Sequence, residues 1–143
     1  KHGLAYAVQT SFEGYTTYGS FSTYAGVEHE NLTKSILIVL NEYKKIREEK
    51  ISSHELIRSK ESLKGHLALS LEASNAMAFY IGGEEVLTGK PMTPTEVFAK
   101  IDAVSIDDIY GTAQDILKKE TLNLSLIGPF EDKQEFEKLL KEF

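Results

Sequence analysis

The sequence predicts an α+β fold, a largely antiparallel sheet with helices layered on one face. Three observations carry this. Two runs near the start alternate with the period of a strand, several later stretches repeat apolar residues at steps of three and four, and one more alternating run stands before the last helix. Strands come first and helices are layered after them, so the helices need the sheet to pack on.

The first strand reads over 2–12. Tyr6, Val8, Thr10 and Phe12 fall on one face and Ala7, Gln9 and Ser11 on the other. The second reads over 18–27. Between them Glu13-Gly14-Tyr15-Thr16-Thr17 is polar and carries a glycine, so the two runs pair as an antiparallel hairpin with a longer loop.

Glu28-His29-Glu30 then places acids where a helix begins, and Leu32, Ile36, Val39, Tyr43 and Ile46 form one buried stripe. Lys44, Lys45 and Arg47 suit the negative end of that helix. Ser52-Ser53-His54-Glu55 is a capping box that opens a second helix. Its inward side is Leu56, Leu63 and Leu67, with Ser59 and Ser70 between them. Gly65 costs such a helix ~1 kcal/mol against alanine, so we expect it to admit a close backbone.

From Ala76 to Leu87 the pattern is helical, with a bend or break expected at Gly82-Gly83 and an end at Gly89-Lys90-Pro91. Thr93-Pro94-Thr95-Glu96 starts a helix with a cap, a first-turn proline and a reciprocal glutamate, and Val97, Phe98 and Ile101 give it an apolar face. Ser105-Ile106-Asp107-Asp108 opens the next in the same way, carrying Ile109, Ala113 and Ile116. Leu122-Asn123-Leu124-Ser125-Leu126-Ile127 alternates as a strand and is cut off by Gly128-Pro129. Phe136, Leu139, Leu140 and Phe143 make the stripe of the last helix.

With 143 residues, 41% of them hydrophobic, one domain over 1–143 is expected. A net charge of -6 argues against a phosphate-tracking surface, so nucleic acid is not an expected partner. The absence of cysteine rules out disulfides and thiolate metal sites; it fits a reducing compartment, and a cytoplasmic location is expected. No apolar run approaches the ~20 residues that span a bilayer. The chain opens at Lys1-His2-Gly3 directly into a strand, with neither an initiator methionine nor a signal-like segment, so we expect a piece of something longer.

Metal chemistry fails on spacing. His54-Glu55-Leu56-Ile57-Arg58 begins like the zinc helix His-Glu-x-x-His, but Arg58 stands where the second imidazole must be, and a guanidinium cannot ligate. The inverted order His-x-x-Glu-His is absent, and His2, His29 and His66 have no partner at helical spacing. A phosphate-cradling Gly-rich loop and the Gly-x-Ser-x-Gly nucleophile turn are missing as well. Neither a metal nor a cofactor ligand set is therefore expected in this chain. A strand tyrosine such as Tyr6 is by itself ordinarily a half-buried packing residue, and Tyr15, Tyr18 and Tyr24 read the same way.

Five motifs in order change the weight on Tyr6. They are His2-Gly3-Leu4-Ala5-Tyr6, Tyr24-Ala25-Gly26, the run from Leu63-Lys64-Gly65-His66 to Leu71-Glu72, Ile101-Asp102-Ala103-Val104-Ser105-Ile106-Asp107-Asp108, and Leu126-Ile127-Gly128-Pro129. Together they resemble the pitrilysin/insulinase family of zinc metallopeptidases, and more narrowly the second, non-zinc half of bacterial processing proteases similar to the mitochondrial processing peptidase β subunit. The resemblance implies two similar α+β halves closing as a clamshell around a chamber. It implies zinc in the full-length enzyme, bound through the inverted motif of the first half. From the second half it implies an arginine and a tyrosine directed at the substrate's backbone carbonyl. Tyr6 matches that tyrosine; the arginine, like the half's first strand and helix, falls upstream of Lys1. Two departures are His2, where the family has arginine, and Gly82-Gly83, in place of a glycine-basic pair.

The resemblance therefore implies the C-terminal half of a zinc metalloendopeptidase, inert alone, with Tyr6 contacting substrate. Its partners would be the zinc-bearing half, a peptide substrate and a possible dimer mate. The alternative is a non-catalytic structural or interaction subunit on the same fold, as in respiratory-complex core subunits.

Overall fold

The computed structural model describes residues 3–130, 132–141 and 143. His2, and with it the arginine departure, lies outside them. The elements are β1 (Ala5–Gly14), β2 (Gly19–Val27), a 3-10 turn at His29–Asn31, α1 (Leu32–Glu48), α2 (Ser53–Ser70), α3 (Ser74–Thr88), α4 (Pro94–Ala103), α5 (Ile106–Ile116), a 3-10 turn at Lys119–Thr121 and α6 (Gln134–Lys141). This is the α+β class. The chain divides into two compact units, Lys1–Glu49 with Gly111–Phe143, and Lys50–Tyr110.

In the first unit β1 and β2 form the antiparallel hairpin, with Phe12 opposite Phe21 and Thr10 opposite Thr23. Its loop closes through Tyr15 N–H donating to the Tyr18 carbonyl at 2.8 Å, and the two rings stack with centroids 4.6 Å apart. Helix α1 lies against one face. Tyr43 from α1 meets the Thr23 hydroxyl at 2.6 Å, and its ring stands 5.6 Å from that of Phe21. The buried core consists of Ile36, Leu40, Ala113 and Leu117. The α1 stripe therefore runs through Ile36, Leu40, Tyr43 and Arg47, while Ile46 is 37% exposed. At the end of α5 it is Leu117, just past the helix, that goes inward, not Ile116. Arg47 closes this unit: its guanidinium donates to the carbonyls of Leu117 at 3.3 Å and Phe143 at 3.4 Å and lies over the Phe143 ring.

The run 122–127 forms no strand. Leu122 is extended (φ -74°, ψ 127°), but the run has no ladder partner among the described residues. Alternation sorts side chains to two faces; it does not supply the second chain to which a strand must bond.

In the second unit α2 packs on α4. Lys60 donates to the Asp102 carbonyl at 2.8 Å, and Lys64 pairs with the Asp102 carboxylate at 2.9 Å. Ser52 caps α2 by accepting from Glu55 N–H at 3.1 Å, without the return bond from the glutamate that would complete a box. The box at Thr93–Glu96 is complete, with Pro94 in the first turn. Ser105 and Asp108 reciprocate in the same manner.

Two glycine expectations are overturned. Helix α3 runs without a break through Gly82 and Gly83 and ends at Gly89, which takes a left-handed φ of 65°. Glycine lowers helix propensity but keeps its N–H, so the hydrogen-bond ladder passes through it, unlike proline. Nor does Gly65 receive a neighbouring backbone: nothing lies within 4 Å of where its Cβ would be.

Candidate functional site

Tyr6 sits where the hairpin ladder is irregular. Ala5 pairs with Val27 and Ala7 with Gly26, so β1 has advanced by two residues where β2 advances by one. Tyr6 is the extra residue of a β-bulge. A bulge breaks the strict alternation of the strand and re-aims the side chain it carries. Sequence alternation put Tyr6 on the face of Val8, Thr10 and Phe12. The structure moves it to the other.

Gly26 marks that face. Period two puts Gly26 with Ser22 and Tyr24, opposite Phe21 and Thr23, the residues that touch α1. A Cβ built on Gly26 would stand 2.5 Å from Tyr6 Cε2 and 2.7 Å from the hydroxyl oxygen, so the phenol ring lies directly across the glycine. Gly26 is buried as a result. Tyr6 itself remains 81% exposed, and Tyr24, on the same face, 64%. The site is thus an exposed phenol mounted on a two-stranded element, its hydroxyl end over the Gly26 backbone and turned away from the helix.

The sequence reading missed both the bulge and Gly26. A glycine inside a strand pattern often marks a bulge or a close backbone approach, and Tyr24-Ala25-Gly26 held that signal.

His29 and His66 make local contacts. His29 stacks on Phe130 with centroids 5.3 Å apart, and His66 Nδ1 donates to the Ser62 carbonyl at 2.7 Å within α2. Among the described residues no three of His, Asp and Glu are grouped to hold a metal ion. A groove of about 470 Å³ between 124–130 and α6 is lined by Leu124, Leu126, Phe130, Phe136 and Leu140 together with Asp132, Lys133 and Glu137. Lys133 and Glu137 of this lining are paired with each other at 3.1 Å.

Residues 1–63 match the family described as the peptidase M16 inactive domain. The chain is 33% identical over 134 residues to an uncharacterized zinc protease of Streptomyces coelicolor, covering 94% of this chain and 29% of that protein. It is 34% identical over 119 residues to the mitochondrial-processing peptidase subunit beta of Saccharomyces cerevisiae, covering 83% of this chain and 26% of that one. The chain belongs to the M16 peptidase family. This is the pitrilysin/insulinase resemblance that the ordered motifs carried, and the matching region is the family's inactive domain.

An uncharacterized zinc protease of Bacillus subtilis is 32% identical over 127 residues, 89% of the M16 chain and 31% of that relative. The chain thus spans under a third of the length of these relatives. Its fold is shared with a chain of complex III2 from Candida albicans, with Inz-5 bound, at a TM-score of 0.74 and 23% identity over 80% of this chain and 27% of that one. Although its relatives are named as zinc proteases, the described residues of this M16 chain do not fit a zinc ion. Among the described residues no helix is long and apolar enough to cross a membrane.

Proposed function

We propose that this chain is the substrate-contacting half of a zinc metalloendopeptidase, a processing protease that hydrolyses peptides inside a closed chamber. The zinc belongs to the other half, in the same or a separate chain, and peptide is the substrate. The observation that supports this reading is the placement of Tyr6. A bulge turns the ring out of the packed face, and 81% of the residue is exposed on a strand pair rather than a loop.

Tyr6 then acts as a hydrogen-bond donor to the carbonyl oxygen of the bond being cut. A phenol O–H donates more strongly as that oxygen gains negative charge, so the contact favours the transition state over the bound substrate. A donor placed before the reaction needs less reorganisation during it, and the hydroxyl end of the ring lies against Gly26.

Tyr6→Phe in the whole protein tests this. The ring and its seat are kept while the donor is lost, so kcat should fall about 10²-fold, the magnitude typical of removing one oxyanion donor. Zinc content and Tm should stay at wild-type values. Unchanged turnover in a folded, zinc-loaded variant would remove Tyr6 from the mechanism and leave this chain as chamber wall alone.

A further inference from the structure

We propose that Gly26 is a positioning residue for Tyr6, holding the phenol in register by the absence of a side chain. The inference rests on the proposed role of the Tyr6 hydroxyl. Glycine can be required for conformation or for space, and here the two reasons separate. Among the described residues positive φ occurs only at Gly3 and Gly89, so the Gly26 backbone is one that any L-residue adopts. What a side chain at position 26 would take is the space that the Tyr6 ring occupies. A Cβ there would stand 2.5 Å from Tyr6 Cε2 and 2.7 Å from its hydroxyl, well inside van der Waals contact.

Nor can the strands relieve the overlap by sliding. The bulge sets Tyr6 and Ala7 against Gly26, and seven regular pairs from Val8–Ala25 to Gly14–Gly19 lock the register beyond it. The ring has to leave instead. Rotation about χ1 to another staggered well moves the far end of the ring most, and the far end carries the hydroxyl. Displacements of about 1 Å at a reacting centre cost of the order of 10²-fold in rate. Gly26→Ala should therefore act as a loss of the Tyr6 donor, although residue 26 makes no contact with substrate.

The test is a cycle of wild type, Tyr6→Phe, Gly26→Ala and the double variant in the whole protein, with kcat, KM, zinc content and Tm measured on each. We expect both single variants to lower kcat about 10²-fold with KM little changed, and the double variant to be no slower than either. Phenylalanine keeps the ring, so general damage from the clash would persist in the Tyr6→Phe background and appear as a further loss. Only hydroxyl misplacement disappears there. Wild-type turnover in Gly26→Ala, beside a 10²-fold loss in Tyr6→Phe, would overturn the positioning role and leave the proposed function standing. Additive losses would overturn it equally. A silent Tyr6→Phe would remove Tyr6 from the mechanism and refute this inference with it. If Gly26→Ala does not fold, Tyr6→Ala and Tyr6→Ala/Gly26→Ala decide: without the ring, alanine at 26 should leave Tm where Tyr6→Ala has it. A further fall in Tm would show that the ring is not what position 26 makes room for.

Discussion

Gly26 and Gly65 are both glycines inside regular elements, and they mean opposite things. At Gly26 a methyl group would collide with the Tyr6 ring, whereas at Gly65 it would project into open space on α2. Gly65→Ala should therefore raise stability by about 1 kcal/mol, the propensity difference in a helix interior. Chemical denaturation of the two proteins side by side measures it, and a loss of stability would mean that position 65 is covered in the whole protein. The same reasoning extends to Gly82 and Gly83, also open. Tyr6 belongs to this scale too. Exposure of 81% leaves little packing to lose, so Tyr6→Phe should shift turnover without shifting Tm.

Among the elements, α4 and α5 owe their starts to short polar cycles. Thr93 N–H donates to Glu96 Oε2 at 2.7 Å, and Ser105 N–H to Asp108 Oδ2 at 2.8 Å. The backbone N–H of Thr93 first, and then its hydroxyl, hold the Glu96 carboxyl below the usual carboxylate range; the Ser105 hydroxyl and then its N–H do the same for Asp108. In both, the ionised form is favoured by folding. Their contribution is present above the ordinary carboxylate pKa of the unfolded chain and is lost as pH falls through the lowered folded value. Thermal melts of wild type and Glu96→Gln/Asp108→Asn should thus differ at neutral pH and converge in acid. Thr93→Ala, which removes the cap itself, should cost about 1 kcal/mol. A gap that widens in acid would contradict the sign. The run 122–127 shows the other side of this scale: a cap is complete within four residues, whereas a strand needs a partner from elsewhere.

At the scale of the whole molecule, several large apolar side chains stand open: Phe12 is 74% exposed, Phe79 81% and Val86 86%. Burial of such surface at roughly 25 cal/mol per Å² is the main favourable term available to a chain, and here it is left unused. The chain spans under a third of the length of its relatives. On the proposed function, the 143 residues expressed alone should hold no stoichiometric zinc and cleave no peptide, and adding the zinc-bearing half should restore cleavage. Metal analysis with a peptide-hydrolysis assay checks both. One tightly held zinc per chain would overturn the assignment of the metal to the other half.

Local physics was legible in the sequence. The hairpin, the starts at Ser52, Thr93 and Ser105 and the stop at Gly89 depend on residues within a few positions of one another, and all appear as expected. The ordered motifs, from Gly3-Leu4-Ala5-Tyr6 onward, carried the family. Contacts between distant residues decided the rest. Whether a glycine admits a neighbour, as Gly26 does and Gly65 does not, depends on what the fold brings to it. Which residue of a stripe goes inward, Leu117 over Ile116, depends on the partner surface. The face of Tyr6 depends on one unpaired residue in a ladder, because side-chain direction in a strand has period two and a single insertion reverses it.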